Sequence, residues 1–338
     1  MKAIALVCAI AALTAWVLTG LVRRHSLRIA LLDIPNSRSS HTVPTARGGG
    51  VAIVITSLAG MIGLATLGFV ETRLLCALVG GGLAIAFVGY LDDRGRIGIG
   101  GRMGIHFVAA AWAVAWTGGL VEIHFGTTAF QLGMWGPVLS ILGIVWVLNL
   151  FNFMDGIDGI AAAEAIFVAV MGGFLAGVGG AGLSVQSAAY MLAAASLGFL
   201  SWNWPPARIF MGDVGSAYLG YCLAVLALTS AREKPATLNV WLIVAGVFLV
   251  DATLTLIRRL LRREQVYQAH RSHAYQWQAR KWGSHRTVTL ATILLNVLWL
   301  APWAWLAAAR PDLRAWALAG AVLPLGLLGA VLGSGKRE

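Results

Sequence analysis

Five of the chain's eight aspartates fall in three short segments: Leu91-Asp92-Asp93-Arg94, Asn152-Phe153-Met154-Asp155-Gly156-Ile157-Asp158-Gly159, and Phe210-Met211-Gly212-Asp213-Val214-Gly215-Ser216. Each segment borders a long apolar run. Carboxylates are costly near hydrocarbon, so their concentration at such boundaries points to a site. Hard oxygen ligands clustered on one face suit a magnesium-dependent enzyme that handles phosphates.

Each segment also has a plainer explanation. Asp92 and Asp93 are adjacent, so one should be harder to ionise unless a cation intervenes. A divalent metal would relieve the repulsion, and so would pairing with Arg94 or Arg96 at a solvated helix end. Asp155 and Asp158 share a face if their segment is helical. Gly156 and Gly159 leave amides open to a ligand, and the helix that follows favours phosphate at its N-terminus. Capping that helix needs one aspartate and leaves the second unexplained. Asn149 and Asn152 precede the pair on a similar face, where polar contact between helices is the alternative. The segment from Asn203 to Ser216 combines an amide, Arg208, Phe210 and Asp213. Asp213 also suits a helix start.

Two further loops carry phosphate-binding chemistry. One runs from Asp33 to Gly50 and contains Arg38-Ser39-Ser40-His41 and Pro44-Thr45-Ala46-Arg47-Gly48-Gly49-Gly50. It lacks the lysine of a Walker A loop, and a flexible connector is the simpler reading of its composition. The other runs from Arg258 to Arg286. Arg258, Arg259, Arg262 and Arg263 at helical spacing suit a surface helix on anionic headgroups. That does not explain His270-Arg271-Ser272-His273. Two histidines without further ligands make a poor zinc site, whereas as donors they suit a diphosphate. Glu164 and Asp251 fall inside apolar runs, where a functional role or an interior pairing is the default.

These residues must be positioned by membrane helices. The chain has 338 residues, 59% hydrophobic and 12% charged, with a mean hydropathy of +0.79. A soluble protein would carry about 25% charged residues. Apolar runs of about 20 residues recur throughout. They predict a single all-α polytopic integral membrane domain over 1–338. Spans are expected near 3–22, 49–70, 73–91, 104–120, 136–151, 160–178, 186–202, 215–230, 237–257, 287–308 and 314–333. The first is read as a span and not a cleaved signal, because Arg23 and Arg24 follow it in place of small residues. A small hairpin is expected at 121–135. No internal repeat is evident, which argues against an inverted-repeat transporter.

The loops 23–48, 92–103, 152–159, 203–214 and 258–286, with the C-terminal end, hold 19 of the 25 lysines and arginines. The positive-inside rule makes these loops cytoplasmic. The expected N-terminus is then periplasmic, the C-terminus cytoplasmic, and all three aspartate segments share the cytoplasmic face. The net charge of +11 therefore reports orientation and not nucleic-acid binding. Cys8, Cys76 and Cys222 lie in apolar runs with no disulfide or CxxC pattern.

Together these motifs resemble the polyprenyl-phosphate N-acetylhexosamine-1-phosphate transferases over nearly the whole chain. The 38–41 and 270–273 motifs look most like the bacterial O-antigen-initiating branch. The peptidoglycan branch typically has three consecutive histidines, which this chain lacks. The resemblance implies attack of undecaprenyl phosphate on a UDP-N-acetylhexosamine, giving the undecaprenyl-diphospho-sugar and UMP at the bacterial inner membrane. It implies Mg2+, with Mn2+ as a substitute, held by Asp213 with Asp92 and Asp93 as further ligands or acceptor-side carboxylates. Segment 155–158 (Asp155, Gly156 and Asp158 among it) and Asn203 match the uridine-binding region, with Phe210 as its stacking ring, and Asn152 is a further substrate-binding candidate. His270 and His273 would contact the diphosphate, helped by Arg271 and Arg47. The sugar is not fixed by the sequence, and a homodimer is compatible with it. A muramoyl-pentapeptide transferase or a lipid-linked sugar transporter is the competing reading.

Overall fold

In the computed structural model, residues 2–35, 43–125, 128–265 and 270–336 are described. The Arg38–His41 motif and the hairpin tip at 126–127 lie outside them. Helix α1 (Lys2–Arg28) is followed by a short antiparallel pair, β1 (Leu32–Asp33) with β2 (Thr45–Ala46). Then come α2 (Gly50–Thr66), α3 (Thr72–Cys76), α4 (Gly82–Asp92) and α5 (Ile99–Thr117). The expected hairpin forms as β3 (Glu122–Phe125) and β4 (Thr128–Gln131), with Glu122 opposite Gln131. Four long helices follow: α6 (Trp135–Met154), α7 (Ile160–Val178), α8 (Leu183–Asn203) and α9 (Asp213–Glu233). The remainder is α10 (Thr237–Val244), α11 (Gly246–Leu261), α12 (Ala274–Trp282), α13 (His285–Leu295), α14 (Ala301–Ala309) and α15 (Arg314–Leu332).

The chain is a polytopic helical membrane protein. Among the described residues, eight helical segments are long and apolar enough to cross a membrane, or nine if the bent pair α10–α11 is one span. Eleven spans were expected. Helix α2 is apolar but only 17 residues long, and α5 is absent from the eight because it carries a polar start. Helix α5 begins at Ile99, five positions before the expected span, and so draws Arg102 into its first turn.

Helix α9 is the central post. Its span is 89% buried, and α4, α6, α2, α7, α8 and α10 pack around it. Small residues allow the close approach. A Cβ on Gly50 would lie 2.4 Å from the Gly215 Cα, and one on Gly89 would lie 2.6 Å from the Asp213 carbonyl oxygen. The starts of α2 and α9 and the end of α4 therefore meet at one end of the bundle. A π-helical turn at Ala77–Gly81 joins α3 to α4. There the Tyr221 hydroxyl of α9 donates to the Ala77 carbonyl at 2.8 Å. This inserted donor accounts for the extra residue in the turn.

The expected straight span at 237–257 is instead broken, with a 73° bend between α10 and α11. The bend seats Asp251 under α12. Its Oδ1 accepts from the Ala274 amide at 2.9 Å and the Ser334 hydroxyl at 2.7 Å. Asp251 thus caps α12 from another element, and its interior partners are amides, hydroxyls and, at 3.9 Å, the His273 ring. Glu164, 1% exposed, accepts from Asn296 Nδ2 at 2.5 Å. The arginines at the end of α11 are internal ties as well as surface charge. Arg258 donates to the Ser334 carbonyl and Arg262 to the Gly335 carbonyl, while Arg259 reaches Ser272 and Glu264.

Candidate active site

The three aspartate segments converge. Backbone pairing brings the first loop to the third segment. The Phe210 amide donates to the Ala46 carbonyl (2.8 Å), the Gly49 amide to the Phe210 carbonyl (2.9 Å) and the Gly50 amide to the Met211 carbonyl (2.9 Å). Arg47 is thereby fixed beside the start of α9. Its Nη2 lies 2.7 Å from Asp93 Oδ1 and 3.3 Å from Asp213 Oδ1. From the other side, Arg102 Nη1 pairs with Asp92 and lies 3.5 Å from Asp213 Oδ2. Three carboxylates and two guanidiniums form one cluster. Burial alone would disfavour the Arg47 charge, but Asp93 and Asp213 outweigh it and hold the group protonated.

Within the cluster the two adjacent aspartates differ. Asp93 accepts from the amides of Asp213 (2.9 Å) and Val214 (3.3 Å), so it caps α9 from the end of α4. Gly212 has φ +76°, and a Cβ there would lie 2.5 Å from Asp93 Oδ2. Only glycine supports this approach. Burial raises the Asp93 pKa above the usual carboxylate range, against the pull of Arg47 and the two amides, and Asp92 adds to the rise. Basic partners do intervene, Arg47 at Asp93 and Arg102 at Asp92, and the rise at Asp93 comes mainly from burial and only last from its neighbour.

A polar cavity of about 780 Å³, counting its open mouth, lies beside Asp213. It is lined by Arg47, Asn152, Asp155, Gly156, Asp158, Asn203, Phe210, Asp213 and Ser216, together with Asp33, Gln276 and His285. All the residues matched to uridine binding therefore share one cavity. Several also hold its walls. Asn203, 3% exposed, accepts from the Gly159 amide (3.0 Å) and donates to the Ile209 carbonyl (2.9 Å). Asn152 Nδ2 donates to Ser216 Oγ at 3.1 Å. Asn149 serves as contact between helices, donating to the Val145 carbonyl beside His106. The side of Gly156 that a Cβ would occupy is taken by the Tyr275 hydroxyl, at 2.2 Å.

Asp92 and Asp93 do not line this cavity. An apolar groove between α1, α2 and α4 reaches Asp93 and Arg94 and shares Arg47 with the polar cavity. His270 and His273 line neither. Their rings stack on each other with centroids 4.9 Å apart, and His273 stacks on Tyr275. Burial pushes His270 down to about 3 and lowers His273 as well, although Asp251, 3.9 Å from His273 Nδ1, opposes the fall. Arg271 lies between them, its carbonyl accepting from Arg280. Arg102 and His285 were not singled out from the sequence. Arg102 was counted in a loop, and His285 carries no local motif.

Asp155 is a cavity carboxyl displaced from its ordinary state. Burial raises its pKa well above the usual value of 3.8, and Asp213, Asp93 and Asp158 add to the rise while Arg47 opposes it. Below 3.8 both folded and unfolded chains hold the proton. As pH rises the unfolded chain ionises first, so stability is lost up to the folded pKa. In metal-free buffer, Asp155→Asn should raise the melting temperature by roughly 2–6 °C at pH 8 and change it little at pH 4. A melting temperature that falls at pH 8 would contradict this.

The donor set fits magnesium in a particular way. Among the described residues, no group of three or more His, Cys, Asp or Glu side chains could hold a metal alone. Magnesium is commonly held by one or two carboxylates with phosphate oxygens completing its shell. Asp213 is the clustered aspartate that also faces the cavity.

The chain matches the glycosyl transferase family 4 model over residues 75–231. It is 32% identical over 295 residues to the probable undecaprenyl-phosphate N-acetylglucosaminyl 1-phosphate transferase of Bacillus subtilis (strain 168), covering 85% of this chain and 80% of that one. It is 30% identical over 330 residues to the decaprenyl-phosphate N-acetylglucosaminephosphotransferase of Mycobacterium tuberculosis (strain ATCC 25618 / H37Rv), covering 89% and 80%. A phospho-N-acetylmuramoyl-pentapeptide-transferase of Moorella thermoacetica is 33% identical over 189 residues, 55% of this chain and 57% of that one. With these relatives and this cluster of aspartates, the chain belongs to the polyprenyl-phosphate N-acetylhexosamine-1-phosphate transferases of glycosyl transferase family 4, and is an enzyme.

Proposed function

We propose that the enzyme transfers a sugar 1-phosphate from a UDP-N-acetylhexosamine to undecaprenyl phosphate at the cytoplasmic face of the bacterial inner membrane, releasing UMP. The product would initiate O-antigen or a related envelope glycan. One observation carries the reading. Asp213 and Arg47 are ion-paired at the wall of a polar cavity, and Arg47 also lines an apolar groove. A soluble nucleotide and a lipid phosphate can therefore meet at one guanidinium. The relatives that cover most of the chain are N-acetylglucosamine-phosphate transferases, whereas the muramoyl-pentapeptide relative covers about half. The 270–273 motif favours the same branch.

Phosphoryl transfer requires alignment and neutralisation of charge on the transferring group. Asp213 would hold magnesium together with the donor's diphosphate. Bound there, the ion would supply Lewis-acid neutralisation of the phosphate oxygens. Arg47 and Arg102 would receive the acceptor phosphate. That group is already largely dianionic near neutral pH, so it attacks the sugar-linked phosphorus without a strong base. The bond to the uridine-bearing phosphate breaks and UMP leaves with the electron pair. Phe210 would stack on the uracil.

The test is UMP release by purified protein with undecaprenyl phosphate, a panel of UDP-N-acetylhexosamines and magnesium. Release should require both substrates and cease in excess EDTA, and magnesium or manganese should restore it. Full turnover in EDTA would refute the metal, and release without the lipid would refute the acceptor.

Orientation has its own check. Ser272, in the 270–273 motif, is only 3% exposed, so a cysteine there would report poorly. Lys281, exposed at the end of α12, is the better position. In intact cells Lys281→Cys should resist membrane-impermeant thiol reagents and react after permeabilisation. Labelling from outside would overturn the cytoplasmic site.

A further inference from the structure

Helix α15 ends in the turn Gly333-Ser334-Gly335, which packs against the start of α12. Ser334 is fully buried. Its hydroxyl donates to Asp251 Oδ1 at 2.7 Å, the oxygen that also accepts from the Ala274 amide. The Gly335 amide donates to the Ser272 carbonyl at 2.6 Å. Arg258 and Arg262 hold the carbonyls of Ser334 and Gly335. The turn depends on glycine. Gly335 has φ +70°, and a Cβ there would lie 2.9 Å from the Arg258 Cβ, so a side chain would be strained and crowded.

From this turn a path of contacts runs to the polar cavity. Asp251 accepts from the amides of Ala274 and, at 3.4 Å, Tyr275, and so sets the first turn of α12. The Tyr275 hydroxyl donates to the Phe153 carbonyl at 3.0 Å and fills the space beside Gly156. The next residue, Gln276, lines the cavity itself. The path therefore ends on the Phe153–Gly156 side of the cavity. Arg47 and Arg102 meet Asp213 elsewhere, at the start of α9. A loosened α12 would disturb the wall and leave the charged cluster in place.

We propose that Ser334 is a positioning residue for donor binding, acting through Asp251 to hold Tyr275 and Gln276 in the cavity wall. The proposal rests on reading this cavity as the donor site. It ties that site to a turn that carries none of the aspartate or histidine motifs.

The test is steady-state kinetics of the purified full-length protein, with undecaprenyl phosphate, magnesium and whichever UDP-N-acetylhexosamine supports UMP release. Ser334→Ala should raise the donor KM about three- to tenfold. That is the range for losing one hydrogen bond to a charged group, when the loss lowers the fraction of protein with its wall in place. The kcat and the KM for undecaprenyl phosphate should stay near the wild-type values, which marks a loss of donor binding. Tyr275→Phe, which lacks the hydroxyl on Phe153, should act in the same way. Both changes break one path, so the double variant should be little worse than the poorer single one. Asn296→Ala removes a buried bond to Glu164 elsewhere in the bundle. It should lower the melting temperature and leave the donor KM alone. Should Ser334→Ala unfold, Ser334→Cys keeps nearly the same volume with a weaker donor and should give a smaller rise in the same direction. An unchanged donor KM in a folded Ser334 variant would overturn the proposal. So would a fall in kcat alone, or Ser334 and Tyr275 effects that multiply independently. An equal rise in donor KM in Asn296→Ala would make KM a report of stability and overturn it too. If no UDP-sugar supports UMP release by the wild type, the donor reading fails and this inference with it.

Discussion

Asp213→Asn should lower turnover by roughly a thousandfold, about 4 kcal/mol of transition-state stabilisation, while the protein still folds and inserts. The fold survives because α9 is capped through the backbone amide of residue 213, which donates to Asp93. Asparagine keeps that amide and nearly the same volume. What it loses is the charge that would hold magnesium against the diphosphate. It also loses the ion pairs to Arg47 and Arg102. Those contacts are partly exposed and contribute little to stability. A melting curve like that of the wild type with near-normal turnover would show that Asp213 is only part of the scaffold.

Arg47→Ala should lower turnover by roughly a hundred- to a thousandfold, the range for loss of one oriented transition-state donor. Arg47→Lys should recover part of it, since a lysine keeps the charge but not the planar fork. A second effect runs in the opposite direction. Arg47 sits 2.7 Å from Asp93 and 3.3 Å from Asp213, so it competes with a divalent cation for the same carboxylates. In the alanine variant magnesium should bind more tightly although the reaction is slower. Turnover and metal affinity falling together would mean that Arg47 supports the metal site and not the phosphates.

Much of this site could be read in the chain because its chemistry is local. Asp92-Asp93, the 152–159 segment and the 203–216 segment each combine charge with glycine at the edge of an apolar run, and hydropathy alone put them at one end of the bundle. What could not be read was which of the grouped residues face ligand and which hold the walls. Asp93 and Asn203 look like ligand contacts in sequence. Asp93 accepts from the amides that start α9 while also pairing with Arg47 and reaching the apolar groove, and Asn203 ties Gly159 to Ile209 while lining the polar cavity. Such roles depend on partners 120 and 44 positions away, which no local pattern encodes. Arg102 was hidden by a helix boundary. Placed in a loop it has no direction, whereas in the first turn of α5 it points at Asp92. His285 was hidden because a lone histidine after an ordinary serine cap carries no signal until α13 is seen against Asp158. The bend at α10–α11 was also illegible, since its apolar content matches that of a straight span. The histidine pair reads as a diphosphate contact; what its sequence did not show is that the two rings stack on each other and His273 on Tyr275, away from both the polar cavity and the apolar groove.

The most direct measurement follows the two phosphates of the donor separately. UDP-N-acetylglucosamine labelled with 32P on the sugar-linked phosphate is incubated with the purified enzyme, undecaprenyl phosphate and magnesium. Transfer of a sugar 1-phosphate carries the label into the organic phase and leaves unlabelled UMP in the water. Transfer of the sugar alone would leave the label in aqueous UDP, and would contradict an active site built to align and neutralise a phosphoryl group.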